Sequence, residues 1–202
     1  MKKLILLLFS LFFLCSTSIF ADDISDFHIE KMSVGDSLMD YMTEDEIIEA
    51  IESSPNDYSY LKEPNKYVQV NLIKEFPTYK SGLSFFIKNN LTNTYVGNKN
   101  EKYTIELIAG RINFTEDFDS CIVKRDEIAE ILSSMFPDAQ KAEGEYAHSA
   151  DPSGNSIIDG VWFTFDEGAE ISTYCSNHEE TFRTKMNWTE GLKVTIANAE
   201  VA

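Results

Sequence analysis

Positive charge is scarce in this chain: 17 Lys and Arg stand against 34 Asp and Glu among 202 residues, a formal net charge of −17. The body of the sequence has no basic run, which excludes a surface built to hold a phosphate backbone by counterion release. Proline and glycine are also few, at 5 and 9. With 43% apolar and 12% aromatic residues, this is not the composition of a disordered chain. Cysteine is limited to three residues with no CxxC among them, so neither thioredoxin-like dithiol chemistry nor a cysteine metal site is indicated. No apolar run approaches the roughly 20 residues of a membrane-spanning helix.

The longest apolar run, Leu4 to Leu14, lies between Lys2-Lys3 and a small, polar stretch ending at Ala21. That is the three-part layout of a secretory signal peptide, with cleavage expected after Ala21. Phe12, Phe13 and Leu14 precede Cys15, where a lipid-attachment motif needs a small residue. Residues 22–202 are then expected to form a single acidic globular α+β domain. Without Lys2 and Lys3 it has 15 cations against 34 acids, a net charge of −19, and two cysteines, Cys121 and Cys175.

Local patterns give the elements. Phe27 and Ile29 suggest a short first strand, followed by a turn at Ser33 to Gly35 and a helical turn capped by Asp36 or Ser37. Thr43 and Glu46 have the spacing of a capping box, and Ile47, Ile48 and Ile51 form the stripe of a helix running to about Glu52. Ser53 to Lys66, with Pro55 and Pro64, reads as loop. Three strands follow: one around Val68, Val70 and Leu72, one around Leu83, Phe85 and Ile87, and one from Tyr103 to Phe114, bent near Ala109 and Gly110. A second helix spans about Asp117 to Phe136, with Phe118, Cys121, Ile122, Ile128, Ile131, Leu132 and Met135 on its apolar face and Pro137 as its stop. Three more strands carry Val161, Phe163 and Phe165; Ile171, Thr173 and Cys175; and Leu192, Val194 and Ile196. The expected fold class is α+β, with antiparallel sheet packed on two helices. The order of helix then three strands, twice over, raises a tandem α-β-β-β arrangement against a single mixed sheet in another order.

Cys121 falls on the apolar stripe of the second helix and Cys175 on the strand face shared with Ile171, so both point inward. They are the disulfide candidate; two buried free thiols are the alternative.

Gly35-Asp36-Ser37-Leu38 spells the letters of the GDSL esterases and lipases, in which Ser37 would be the nucleophile. That serine needs a base and a group to orient it, and the family's DxxH motif is absent: Glu145, Cys175 and Ser25 stand three residues before His148, His178 and His28. The plainer account is that Gly35 turns the chain, Asp36 and Ser37 cap, and Leu38 enters the core. His178-Glu179-Glu180 begins like a zinc-protease helix, but Phe182 occupies the place of the second histidine. Asp151 to Gly160 lacks the alternating ligands and central glycine of a calcium loop. Asn90, Asn113 and Asn187 open sequons that chance explains in a sequence of bacterial style. Trp162 and Trp188 fit either a ligand site or ordinary core.

The segment DFHIEKMSVGDSLMDYMTEDEI, Asp26 to Ile47, resembles a group of uncharacterised exported, periplasmic proteins of Pelagibacter-type marine bacteria that share a DFxIEGMSIGDSLLDYF opening. The segment from Ile112 to Phe136 and the strand with Leu192 and Val194 are similar as well. Lys31 stands where that opening usually has Gly. The resemblance implies location and a shared fold, and no activity.

No catalytic residue, cofactor or metal ligand is assigned from the sequence. The expected function is a periplasmic or secreted binding or interaction module whose partner is an unidentified protein or small molecule. It is expected not to bind nucleic acid and not to span the membrane once the signal is removed. A GDSL-like esterase acting through Ser37 and an envelope structural protein are the alternatives.

Overall fold

The computed structural model describes residues 23–53, 67–88 and 102–202. The expected signal peptide, the loop after Ser53 and the Asn90 sequon lie outside the described residues.

The described elements run in the order α1 (Glu44–Ser53), β1 (Tyr67–Leu72), β2 (Leu83–Lys88), β3 (Ile105–Asn113), α2 (Phe118–Met135), β4 (Gln140–Ala147), β5 (Ile157–Thr164), β6 (Glu170–Asn177), α3 (Glu180–Met186) and β7 (Gly191–Ala197). The strands form one seven-stranded sheet in the order β1-β2-β3-β7-β6-β5-β4, and every pairing is antiparallel. The fold is therefore α+β, with three helices among the described residues where two were expected. The second run has four strands with α3 before the last, so it does not simply repeat the first.

Alternation divides the sheet into two faces. One carries Val70, Phe85, Ile108, Ile196, Ile171 and Phe163, which follow one another through the register across six strands. These side chains are buried and belong to a single core with Ile47 and Ile51 of α1 and Cys121, Ala129 and Leu132 of α2. Truncating a core residue such as Leu132 to Ala costs about 2–5 kcal/mol. Cys121 and Cys175 are fully buried and stand at disulfide distance, with Cα atoms 6.0 Å apart. Arg125, one turn further along α2, pairs with Asp159 on β5. Ile131, expected on the buried stripe, is 56% exposed; the stripe runs instead through Cys121, Ala129 and Leu132. No described helix lies on the opposite face, which carries Trp162, Ser172, Thr195, Ala109 and Ser84 in one register row.

The N-terminal segment departs from its expected form. Phe27 to Ile29 is not a strand. Ile29 and Met32 exchange backbone hydrogen bonds of 2.9 and 3.0 Å around Glu30 and Lys31, both at positive φ, 52° and 72°. This is a type I′ turn, which favours Asn-Gly, and it explains why a glycine suits position 31. The Glu30 carboxylate accepts from the backbone N–H of Thr78 at 2.6 Å and Tyr79 at 3.1 Å, which secures the turn. The capping box forms as expected: Thr43 N–H donates to Glu46 at 2.8 Å and Glu46 N–H to Thr43 Oγ1 at 3.3 Å.

The irregularity in β3 lies at Glu106, where the register with β2 shifts between Phe86 and Ile87, not at Ala109 and Gly110. The bulge turns a carboxylate that is 1% exposed toward Lys88 Nζ at 2.8 Å and Asn198 Nδ2 at 2.7 Å. Bulges re-aim side chains in this way, and the Glu106 hydrogen bond in turn raises the Lys88 ammonium above its ordinary pKa.

Candidate functional site

A cleft of about 340 Å3 opens where the end of the uncovered face meets the α3–β7 connection. One wall is built by residues that flank α3, His178 before it and Asn187 to Glu190 after it. Glu179 caps α3, its carboxylate accepting from Phe182 N–H at 2.7 Å. The helix ends at Asn187 in the left-handed conformation, φ 53°, and Trp188 N–H returns to the Arg183 carbonyl at 3.1 Å, as in a Schellman ending. Trp188 is thereby folded back onto Phe182, ring centroids 5.3 Å apart. Glu190 closes the loop, accepting from His178 N–H at 3.2 Å and from Arg183 Nη1 at 3.2 Å.

The β4–β5 connection adds His148. Asp151 holds this loop, accepting from Ser153 N–H at 2.9 Å and Ser156 N–H at 2.9 Å. The Ser156 side chain above all, then the Ser153 hydroxyl and these two backbone N–H groups, favour the charged form and set the Asp151 carboxyl well below the ordinary carboxylate range. Ser156 Oγ accepts from Glu179 N–H at 2.9 Å, fastening the loop to the start of α3. His148 consequently lies 5.3 Å from His178 and 5.0 Å from Trp188, centroid to centroid. Ala150 N–H donates to His148 Nδ1 at 3.2 Å, so the ring proton of neutral His148 sits on Nε2. His178 is 7% exposed, its Nδ1 has no partner among the described residues, and burial, reinforced by His148, pushes its pKa below the ordinary imidazole value.

The arginine and the lysine of the cleft come from the sheet. Arg111 on β3 and Lys193 on β7 are direct register partners, and Tyr174 on β6 is the next partner of Lys193. Lys193 Nζ lies 5.6 Å from the centre of the Tyr174 ring, a cation–π distance. Like charges directly opposite on neighbouring strands disfavour folding. The chain has three arginines: Arg125 pairs with Asp126 and Asp159, and Arg183 with Glu190, whereas Arg111 has no carboxylate partner among the described residues. Nor do the Tyr174 hydroxyl and the Trp188 indole N–H have hydrogen-bond partners there. Four unused donor groups thus line one cleft whose single carboxylate, Glu190, is already engaged.

The other described cavities have the opposite charge balance. One of about 620 Å3 beside Phe136 and Phe165 is rimmed by Asp23, Asp138, Asp166 and Glu167, with no cation. Another of about 790 Å3 between α2 and β4 sets Arg125 and Lys141 against Asp126, Glu130, Glu143 and Asp159.

Residues singled out in the sequence fall in separate places. Ser37 is 3% exposed; its hydroxyl donates to the Lys102 carbonyl at 2.7 Å and accepts from Met39 N–H at 3.3 Å. Gly35 turns the chain at φ 88° and Leu38 is buried, so these letters meet local structural needs. Trp188 lines the cleft, while Trp162 lies on the same sheet face outside it. His178 enters the cleft as a buried aromatic member, and no group of three or more His, Cys, Asp or Glu that could hold a metal ion occurs among the described residues. Arg111, Lys193 and Tyr174 were missed; their only signal was the presence of two cations at wet strand positions of an acidic chain. Comparison with protein-family models, curated proteins and solved structures gives no match for this chain.

Proposed function

We propose that this protein is an exported binding module, without catalytic chemistry of its own, whose Arg111–Lys193 cleft takes a small anion. The observation that carries the reading is Arg111, without a carboxylate partner among the described residues, directly opposite Lys193 in a chain with twice as many acids as cations. A like-charge pair that costs stability is explained when a ligand supplies the missing negative charge. Tyr174 and Trp188 add free donors and apolar ring faces, the usual mixture of a small-molecule site. The same reading treats the sheet as two helix-plus-meander units, α1 with β1 to β3 and α2 with β4 to β7. Arg111 then comes from one unit and Lys193 from the other, so the cleft lies on the seam.

Export is supported by the apolar N-terminal run and the paired cysteines, since disulfides persist in oxidising compartments. N-terminal sequencing of the protein from fractionated cells should read from Asp22 in the periplasmic or secreted fraction; a cytoplasmic chain beginning at Met1 refutes export. The cleft is tested by thermal unfolding in inorganic phosphate. A ligand present at 100 times its Kd stabilises by about 2.7 kcal/mol, which for a domain of this size raises Tm by about 5–10 °C. Arg111→Gln/Lys193→Gln should abolish the rise. An equal rise in both proteins, or none in either, refutes the cleft.

A further inference from the structure

We propose that the ligand of this cleft is the acidic end of a carbohydrate, a uronate-bearing oligosaccharide that runs from Arg111 across the open sheet face to β4. The proposal rests on the anion cleft and adds what lies beyond its rim. Gly144, Gly160, Tyr174, Lys193 and Arg111 are successive register partners across β4, β5, β6, β7 and β3. Four interstrand steps make this row about 19 Å long. Its two glycines are not idle: a Cβ on Gly160 would lie 2.6 Å from the Trp162 ring, and one on Gly144 3.2 Å from the Tyr146 hydroxyl. The two rings occupy the space the glycines leave and meet edge to face at 5.4 Å. Tyr146 remains 54% exposed, although an aromatic side chain with no occupant gains by being covered. The result is a low aromatic shelf at one end of the row and a cation pair at the other, with Tyr174 joining them.

That order selects a chemistry. Apolar ring faces receive the C–H faces of pyranose rings, and a cation pair at one end receives a carboxylate. A peptide binds by adding to a sheet edge or by filling side-chain pockets, and the middle of this face offers neither. A nucleic acid would bring a phosphate at every step of a row whose cations are Arg111 and Lys193, in a chain of 34 acids, an electrostatic deficit. An oligosaccharide of neutral sugars that ends in a single uronic acid asks for one charged contact and several ring contacts, which is what the row supplies.

The test is calorimetric titration of the full-length protein with a xylooligosaccharide that carries one terminal glucuronic acid, with the unsubstituted xylooligosaccharide of equal length, polyglutamate, an oligothymidylate and inorganic phosphate as comparisons. The acidic oligosaccharide should bind at least tenfold more tightly than each comparison. Trp162→Ala and Tyr146→Ala should each weaken it severalfold while leaving phosphate binding unchanged, and Arg111→Gln should weaken both. Tyr146 is exposed, so Tyr146→Ala gives an answer even where Trp162→Ala fails to fold. Equal binding of the neutral oligosaccharide, or tighter binding of polyglutamate or the oligothymidylate, overturns the carbohydrate assignment. Phosphate binding that depends on Arg111, with the acidic oligosaccharide no tighter, overturns the shelf and leaves the anion cleft standing. No binding of either overturns both.

Discussion

Replacing both Cys121 and Cys175 with alanine should lower stability by about 4 kcal/mol. The cysteines are 54 residues apart in sequence, and for a closed loop of that length the chain-entropy relation gives about 14 cal/mol/K, or about 4 kcal/mol at 25 °C. Both sulfurs are buried where α2 meets β6. Alanine removes little volume at each, so the lost constraint on the unfolded chain dominates. α2 keeps its other anchors, Leu132 and Ala129 in the core and Arg125 on Asp159, so the variant should fold to the same structure. For a domain of this size each kcal/mol moves Tm by about 2–4 °C, and the double variant should therefore melt about 8–16 °C below the oxidised protein in differential scanning calorimetry. Because the bond is enclosed, reductant should act on the folded protein only as fast as it opens. A Tm within 2 °C of the oxidised protein, or immediate reduction under native conditions, would refute the reasoning.

Other expectations follow from local geometry. Arg111→Gln should raise stability by about 0.5 kcal/mol, because it relieves a cross-strand like-charge pair; chemical denaturation that shows a loss instead contradicts the unpaired-cation reading. Lys31→Gly should stabilise by up to about 1 kcal/mol through relief of the left-handed residue in the type I′ turn, read as a higher denaturation midpoint, whereas a lower midpoint would count against that turn. Asp151 is held below its ordinary pKa by the serine hydrogen bonds, so its contribution is present above the unfolded value near 4 and is lost as pH falls below it. Asp151→Asn should therefore reduce stability at pH 6 and flatten the loss of Tm between pH 5 and pH 2.5; an unchanged acid slope would exclude Asp151 as a source of acid sensitivity.

Periodic, half-buried elements were legible in the sequence. The three- and four-residue spacing around Cys121 and Leu132 located α2, and strand alternation placed Cys175 inward, which together foretold the cysteine pair. β4 was not legible because Gln140 to Ala147 is an edge strand largely wet on both faces, and so carries charge where alternation would otherwise show; those charges also deter pairing with other chains. α3 escaped because seven residues with one buried side chain, Phe182, leave no periodic trace. The turn at Glu30-Lys31 was hidden by residues that rarely adopt its conformation. The cleft depends on the β3–β7 pairing, which joins Arg111 to Lys193 across 82 positions of sequence. Nothing local announces a pairing of that range.

The cation pair as an anion site can be followed atom by atom in nuclear magnetic resonance titration of 15N-labelled protein with inorganic phosphate. Saturable shifts should be confined to the amides of Arg111, Tyr174, Ser176, Lys193 and their neighbours and to the Trp188 indole N–H, all lost in Arg111→Gln/Lys193→Gln. Shifts centred elsewhere, or unaltered in that variant, would contradict it.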